Sequence, residues 1–258
     1  MNLTDQFREE VKKEGLGEED SYVPTYRTNI DIMDYTNGNI DPQTGELEVG
    51  FDGGKICTII GKSGVGKSTL AIQMGTNIID NYDESQLIHY DFERASDRNR
   101  IKTLTGWSSD KIRDKYIHLT SGIYAETFYK GIKSLAKLKI KNREDLEMDT
   151  GRKDYEGNPI KVLPPTVVLI DSLATMSPKN IENEEELSGG MSASAIAKVN
   201  TQIFKRIPSF LKDANIILLV INHITTKIEI GPFSKTKSEI NYLKQDESVP
   251  GSYFCQAM

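Results

Sequence analysis

Five short apolar runs punctuate the chain: Ile56-Cys57-Thr58-Ile59-Ile60, Leu87-Ile88-His89-Tyr90, Tyr116-Ile117-His118-Leu119, Thr166-Val167-Val168-Leu169-Ile170 and Ile216-Ile217-Leu218-Leu219-Val220-Ile221. Runs of this length, rich in β-branched residues, suit strands buried on both faces of a parallel sheet. Helical periodicity fills the spaces between them. Leu70 to Gly75 reads as the start of a helix, and 126–139 places Phe128, Ile132, Leu135 and Ala136 at i, i+4, i+7 and i+8. From 191 to 212, Ile196, Val199, Ile203, Ile207, Phe210 and Leu211 form one stripe, with Lys198, Lys205, Arg206 and Lys212 as a solvated face. Pro208 lies inside that stripe and is expected to kink or end the helix. Strands alternating with helices predict an α/β fold, a mostly parallel sheet flanked by helices on both faces.

The stretches outside this alternation are more polar. In 5–13, Phe7 and Val11 stand at helical spacing among charges, with Gly15 and Gly17 to stop a helix. A frayed tail and an arm reaching a neighbouring subunit both fit. The chain divides into this N-terminal segment, 1–24, and a core, 25–258. Within 28–54, Ile30, Ile32 and Met33 can anchor a short element, and Leu47 to Val49 a strand between turn signals. Trp107 is expected to pack locally. The charged insert at 141–161 carries turn signals at Thr150-Gly151 and Gly157-Asn158-Pro159, and reads as a surface hairpin or flap. A solvated loop and a basic DNA-contacting flap are its two roles, and its acids nearly balance its bases.

Composition narrows the class. The 258 residues carry 32 Lys and Arg against 38 Asp and Glu, a formal charge of −6, so any nucleic-acid contact must come from a local basic face. Cys57 and Cys255 form neither a disulfide framework nor a zinc pattern, which favours a cytoplasmic setting. No run is apolar enough to span a membrane, so no membrane partner is expected.

The chemistry sits at the ends of the apolar runs. Gly61-Lys62-Ser63-Gly64-Val65-Gly66-Lys67-Ser68-Thr69 follows the first, in the pattern G-x-x-x-x-G-K-[ST] between strand and helix. Glycines let backbone N–H groups close around phosphate oxygens, and the helix N-terminus adds partial positive charge. Lys67 is the expected partner of the β- and γ-phosphates of ATP, and the Ser68 hydroxyl a ligand of Mg2+. The second run ends in Asp91-Phe92-Glu93; at period two both carboxylates can face one way, and one of them can orient or deprotonate a water. The fourth ends in Asp171, an apolar run then Asp, the Walker B pattern whose carboxylate holds Mg2+. The last ends in Asn222-His223, where the γ-phosphate would lie. His89 and His118, without neighbouring ligand-type residues in sequence, read as structural. After His223 comes a stretch with Lys227, Lys235, Lys237 and Lys244 among Phe233 and Tyr242, a composition suited to single-stranded nucleic acid and equally to a disordered loop.

Taken together these stretches resemble the RecA-type recombinases, most closely their phage UvsX-like branch, over roughly 25–258. The resemblance implies a RecA-like P-loop NTPase core in which Glu93 activates water, Lys67 grips phosphate and His223 senses the γ-phosphate. It makes Thr175-Met176-Ser177-Pro178-Lys179 similar to a first DNA-binding loop, with Lys179 a contact, and about 224–250 a second. It further implies DNA-stimulated ATP hydrolysis, a homo-oligomeric filament on single-stranded DNA with ATP between subunits, and strand exchange in recombination and repair, in the host cytoplasm if phage-encoded. Pro250 to Ala257 resembles a segment after which the family's core continues, and the insert is longer than the family leads one to expect. Two other functions compete. One is a ring-forming helicase of the DnaB type, which usually has a further N-terminal domain. The other is a non-catalytic mediator, which an intact Lys67, Glu93 and Asp171 disfavour.

Overall fold

The computed structural model describes residues 3–13, 22–41, 44–154, 157–182, 191–226 and 247–249. Its centre is a five-stranded sheet built from the five apolar runs: β1 (Ile56–Gly61), β2 (Leu87–Asp91), β3 (Tyr116–Leu119), β4 (Thr166–Asp171) and β5 (Ile216–His223). All pairings are parallel, and the strands lie in the order β1-β5-β4-β2-β3. The most apolar runs, β4 and β5, take the middle, where both faces and both edges are covered.

Alternation along each strand splits the core in two. Val168, Ile170, Leu218 and Val220 face α6 (Ala125–Lys141) and α7 (Met191–Asp213), meeting Phe128, Ile132, Phe204, Ile207 and Leu211. Val167, Leu169, Ile217, Leu219 and Ile221 face the other way, toward α3 (Lys67–Asp80), α4 (Arg98–Thr105) and α5 (Ser109–Lys115). Helices therefore cover both faces of the parallel sheet, as the alternation of strand and helix predicts. Two shorter helices precede the sheet, α1 (Leu3–Lys13) and α2 (Asp31–Thr36). Trp107 links α4 to α5 and is buried in the second core, with the Lys111 ammonium 4.9 Å from its ring centroid.

Pro208 does not end α7, which runs on to Asp213. The proline is exposed, while Phe204, Ile207 and Leu211 around it are fully buried. Burying such side chains is worth roughly 1.5–3 kcal/mol each. Three of them outweigh the roughly 3 kcal/mol a proline costs a helix interior.

The insert forms an antiparallel hairpin, Met148–Lys153 with Pro159–Val162. Arg152 ties it to the N-terminal part of the core: its guanidinium is hydrogen-bonded to Asp41 and Glu48, and lies 4.6 Å from the Tyr22 ring centroid. Glu48 itself belongs to a small ladder of Asn39–Ile40 with Leu47–Glu48.

Lys139, near the end of α6 and 5% exposed, donates to the Pro164 carbonyl (2.6 Å) and to Thr166 Oγ1 (2.8 Å). Burial pushes its pKa down to about 7. The unfolded chain binds this proton up to the ordinary lysine range and the folded chain does not, so stability should climb as pH rises from 7. Between pH 7 and pH 9 the gain should be about 2 kcal/mol over that of Lys139→Met, measured as the difference in denaturation free energy between the two proteins. Parallel pH profiles would show that the ammonium is not desolvated.

Candidate active site

Parallel strands deliver their carboxyl ends to one edge of the sheet, and register brings the sequence candidates level there. Gly61 of β1 pairs with His223 of β5, and Asp91 of β2 pairs with Asp171 of β4. The loop after β1 turns through Gly64 (φ 76°) and Gly66 (φ 91°), left-handed conformations that only glycine adopts without strain. No atom stands within 4 Å of a Cβ added at either glycine, so the loop leaves an open cradle. Lys62, Ser63, Gly64, Val65 and Gly66 are exposed. Lys67, Ser68 and Thr69 form the first turn of α3, where free backbone N–H groups and the helix dipole favour an anion.

From this loop a chain of polar contacts crosses the strand ends. The Lys67 ammonium donates to the Lys62 carbonyl (2.7 Å) and lies 3.4 Å from His223 Nδ1. His223 Nε2 stands 2.7 Å from Glu93 Oε1, which also accepts from Ser172 Oγ at 2.5 Å. An ammonium offers only protons, so Nδ1 is the acceptor and the ring carries its proton on Nε2, facing the carboxylate. Burial, the largest influence on Glu93, raises its pKa. The hydrogen bonds from Ser172 and His223, the electrostatic attraction of the His223 ring and the charge of Lys67 more than offset it, and the net shift is downward. Glu93 is thus held as a carboxylate, the form a general base requires.

Asp171 lies beside this chain, 3% exposed, and accepts a hydrogen bond from Ser68. Burial raises its pKa first, Ser68 opposes that, and the nearby charges of Glu93 and Asp91 add to the rise. Hard oxygen donors with excess negative charge are the donor set that suits Mg2+, which keeps most of its waters and takes one or two protein ligands. Among the described residues no group of three or more His, Cys, Asp and Glu is assembled into a metal cage.

Two expectations need correction. Asp91 and Glu93 do not face the same way. Asp91 is fully buried and accepts from Ala95 N (3.3 Å), Ser96 N (2.9 Å) and His118 Nε2 (3.1 Å). β2 stops at Asp91, and the chain turns through Arg94 (φ 53°), so the period-two argument does not reach Glu93. His89 and His118 are likewise not isolated from ligand-type residues: they stack on each other, centroids 5.1 Å apart, between Asp91 and Asp171. The groups meet because β2 and β3 pair, which sequence spacing does not display.

Two more residues join the site. Ser172, which follows Asp171 as in the Walker B strands that this stretch resembles, meets Glu93, and Arg100 of α4, which no motif announces, hydrogen-bonds to Thr69 Oγ1. Lys179 opens a single helical turn, Lys179–Glu182, its backbone N–H bonded to Glu126 Oε2 at 3.0 Å. Lys227, Lys235, Lys237 and Lys244 lie outside the described residues. No helix among the described residues is long and apolar enough to cross a membrane. No protein-family model matches the chain, and no curated protein matches it.

Proposed function

We propose that this chain is a P-loop ATPase of the RecA type, which binds single-stranded DNA, assembles with copies of itself and promotes homologous pairing and strand exchange. The observation that carries the ATPase reading is the contact chain Lys67–His223–Glu93–Ser172, which joins the glycine loop to the ends of β2, β4 and β5. A glycine turn with a merely structural role has no need of a basic residue, an imidazole and a depressed carboxylate converging on its open side.

In this reading the loop N–H groups and Lys67 grip the β- and γ-phosphates, and Ser68 and Asp171 hold Mg2+. When bound, Mg2+ neutralises charge that builds on the phosphate oxygens. Glu93 takes the proton of the attacking water, whose oxygen bonds to the γ-phosphorus as the bond to ADP breaks. Lys67 has two partners to exchange for phosphate oxygens, the Lys62 carbonyl and His223 Nδ1. Phosphate arrival therefore frees the imidazole at the end of β5. From there the chain enters the basic stretch holding Lys227, Lys235, Lys237 and Lys244, proposed with Lys179 to contact DNA. In α1, Leu3 and Phe7, one helical turn apart, are 82% and 67% exposed. This bare apolar pair supports an arm that packs on the next subunit. A cytoplasmic location belongs to the same reading.

The test is ATP hydrolysis with and without single-stranded DNA, followed by pairing and unwinding assays on matched substrates. Hydrolysis should rise at least about fivefold with DNA, in line with coupling energies between sites of about 1–3 kcal/mol, and pairing should follow. Unwinding without pairing would make the protein a helicase. Nucleotide binding with no turnover would make it a mediator.

A further inference from the structure

Behind the nucleotide-facing edge lies a second polar layer. His89 and Asp91 alternate on β2, and Tyr116 and His118 alternate on β3, so all four side chains fall on one face of the sheet. Leu169 and Asp171 of β4 continue this row in register. It is the face packed by α3, the helix that begins with the phosphate loop.

Within this layer His89 is completely buried. Its Nδ1 is 2.8 Å from the Tyr116 hydroxyl, while its Nε2 has no hydrogen-bond partner and stands 3.8 Å from Asp171 Oδ2. The tautomer follows from that neighbour. A lone pair on Nε2 would face the lone pairs of a carboxylate, so the proton sits on Nε2 and Tyr116 donates to Nδ1. The result is a buried N–H aimed at one oxygen of Asp171, slightly beyond hydrogen-bond reach. His118 is engaged with Asp91, whose oxygens also take two backbone N–H groups, and His89 Nε2 makes no hydrogen bond to that carboxylate.

We propose that His89 is a positioning residue for Asp171. Its Nε2–H takes Oδ2 of that carboxylate and fixes the rotation of the group, so that the carboxylate is presented with Ser68 to the hydrated Mg2+ of the bound nucleotide. Tyr116 acts one step further back by holding His89 in the donating tautomer. Backing of a metal-binding carboxylate by a fixed donor is a general way of tuning metal affinity. The inference rests on the nucleotide-hydrolysis reading of the site.

The experiment follows Mg2+ through binding rather than turnover. A non-hydrolysable ATP analogue is titrated onto the full chain by calorimetry, without Mg2+ and over a Mg2+ series. His89→Phe should leave affinity without Mg2+ unchanged and raise the Mg2+ midpoint about tenfold, the low end for loss of a metal site's supporting group. His89→Gln, which keeps an N–H donor, should recover most of the shift. Tyr116→Phe should shift the midpoint the same way by a smaller factor, and it decides the matter if His89→Phe does not fold. An unchanged midpoint in the folded variants, or equal loss in the Phe and Gln variants, would overturn the proposal. A wild-type chain that binds the analogue with no response to Mg2+ would overturn the hydrolysis-site reading and this inference with it. A normal wild-type response matched by His89→Phe would overturn this inference alone.

Discussion

Glu93→Gln should bind ATP within about twofold of wild type and hydrolyse it about 10^2–10^4 times more slowly, the usual contribution of a general base. Glutamine keeps an oxygen that can accept from Ser172 and His223, the two groups that hold Glu93 Oε1 in place. It removes the basicity together with one negative charge near Asp171. The geometry of the site and the glycine loop stay as they are, so under the proposed mechanism the loss should fall on kcat. Calorimetry for binding and single-turnover kinetics for hydrolysis separate the two quantities. A variant that turned over within tenfold of wild type would show that another group accepts the proton. Asp91 is not that group by position, because its oxygens are already engaged by Ala95, Ser96 and His118.

Lys67→Ala should fail earlier. Lys67 is 7% exposed, and its ammonium sits at the mouth of the glycine loop, held by the Lys62 carbonyl and His223. Hydrogen bonds to charged groups are worth about 1.5–3 kcal/mol each, so losing two phosphate contacts should weaken ATP binding at least about 100-fold. Hydrolysis should then fall below detection, with or without DNA. The fold should tolerate the change, since the Lys62 carbonyl belongs to an exposed residue that water can satisfy. Isothermal titration with ATP and a melting curve of the apo protein check both halves. Retained binding with lost turnover would place Lys67 with the reacting atoms alone; unchanged binding and turnover would remove the glycine loop from the site.

The strands were legible because each is a short, mostly apolar run rich in β-branched or aromatic residues, the composition that a buried parallel sheet asks for. Their ends were legible for a related reason: an acid or a histidine directly after such a run stands out. What escaped was anything set by pairing across the sheet. His89 and His118 lie 29 residues apart in sequence and become neighbours through the β2–β3 register. Ser172 and Glu93 meet because β4 and β2 are adjacent in space, although α4, α5, β3, α6 and the hairpin lie between them in the chain. Pro208 shows the opposite failure. A sound local rule predicts a kink or an end, and the tertiary burial of Phe204, Ile207 and Leu211 carries the helix past it to Asp213. Lys139 escaped because a lysine near a helix end looks solvated until the Pro164 carbonyl is seen to close over it.

Trp107 is the only tryptophan in the 258 residues, so the emission of the whole protein in the indole band comes from one known place. Its ring is buried against α3, α4 and α5, and a lysine ammonium lies over its face. Arg100, seven residues earlier on α4, hydrogen-bonds to Thr69 at the end of the glycine loop. The chain therefore carries its own optical reporter, wired by one helix to that open cradle. Filling of the cradle by the proposed nucleotide should be visible in fluorescence with no label attached, and each variant above can be compared on the same signal.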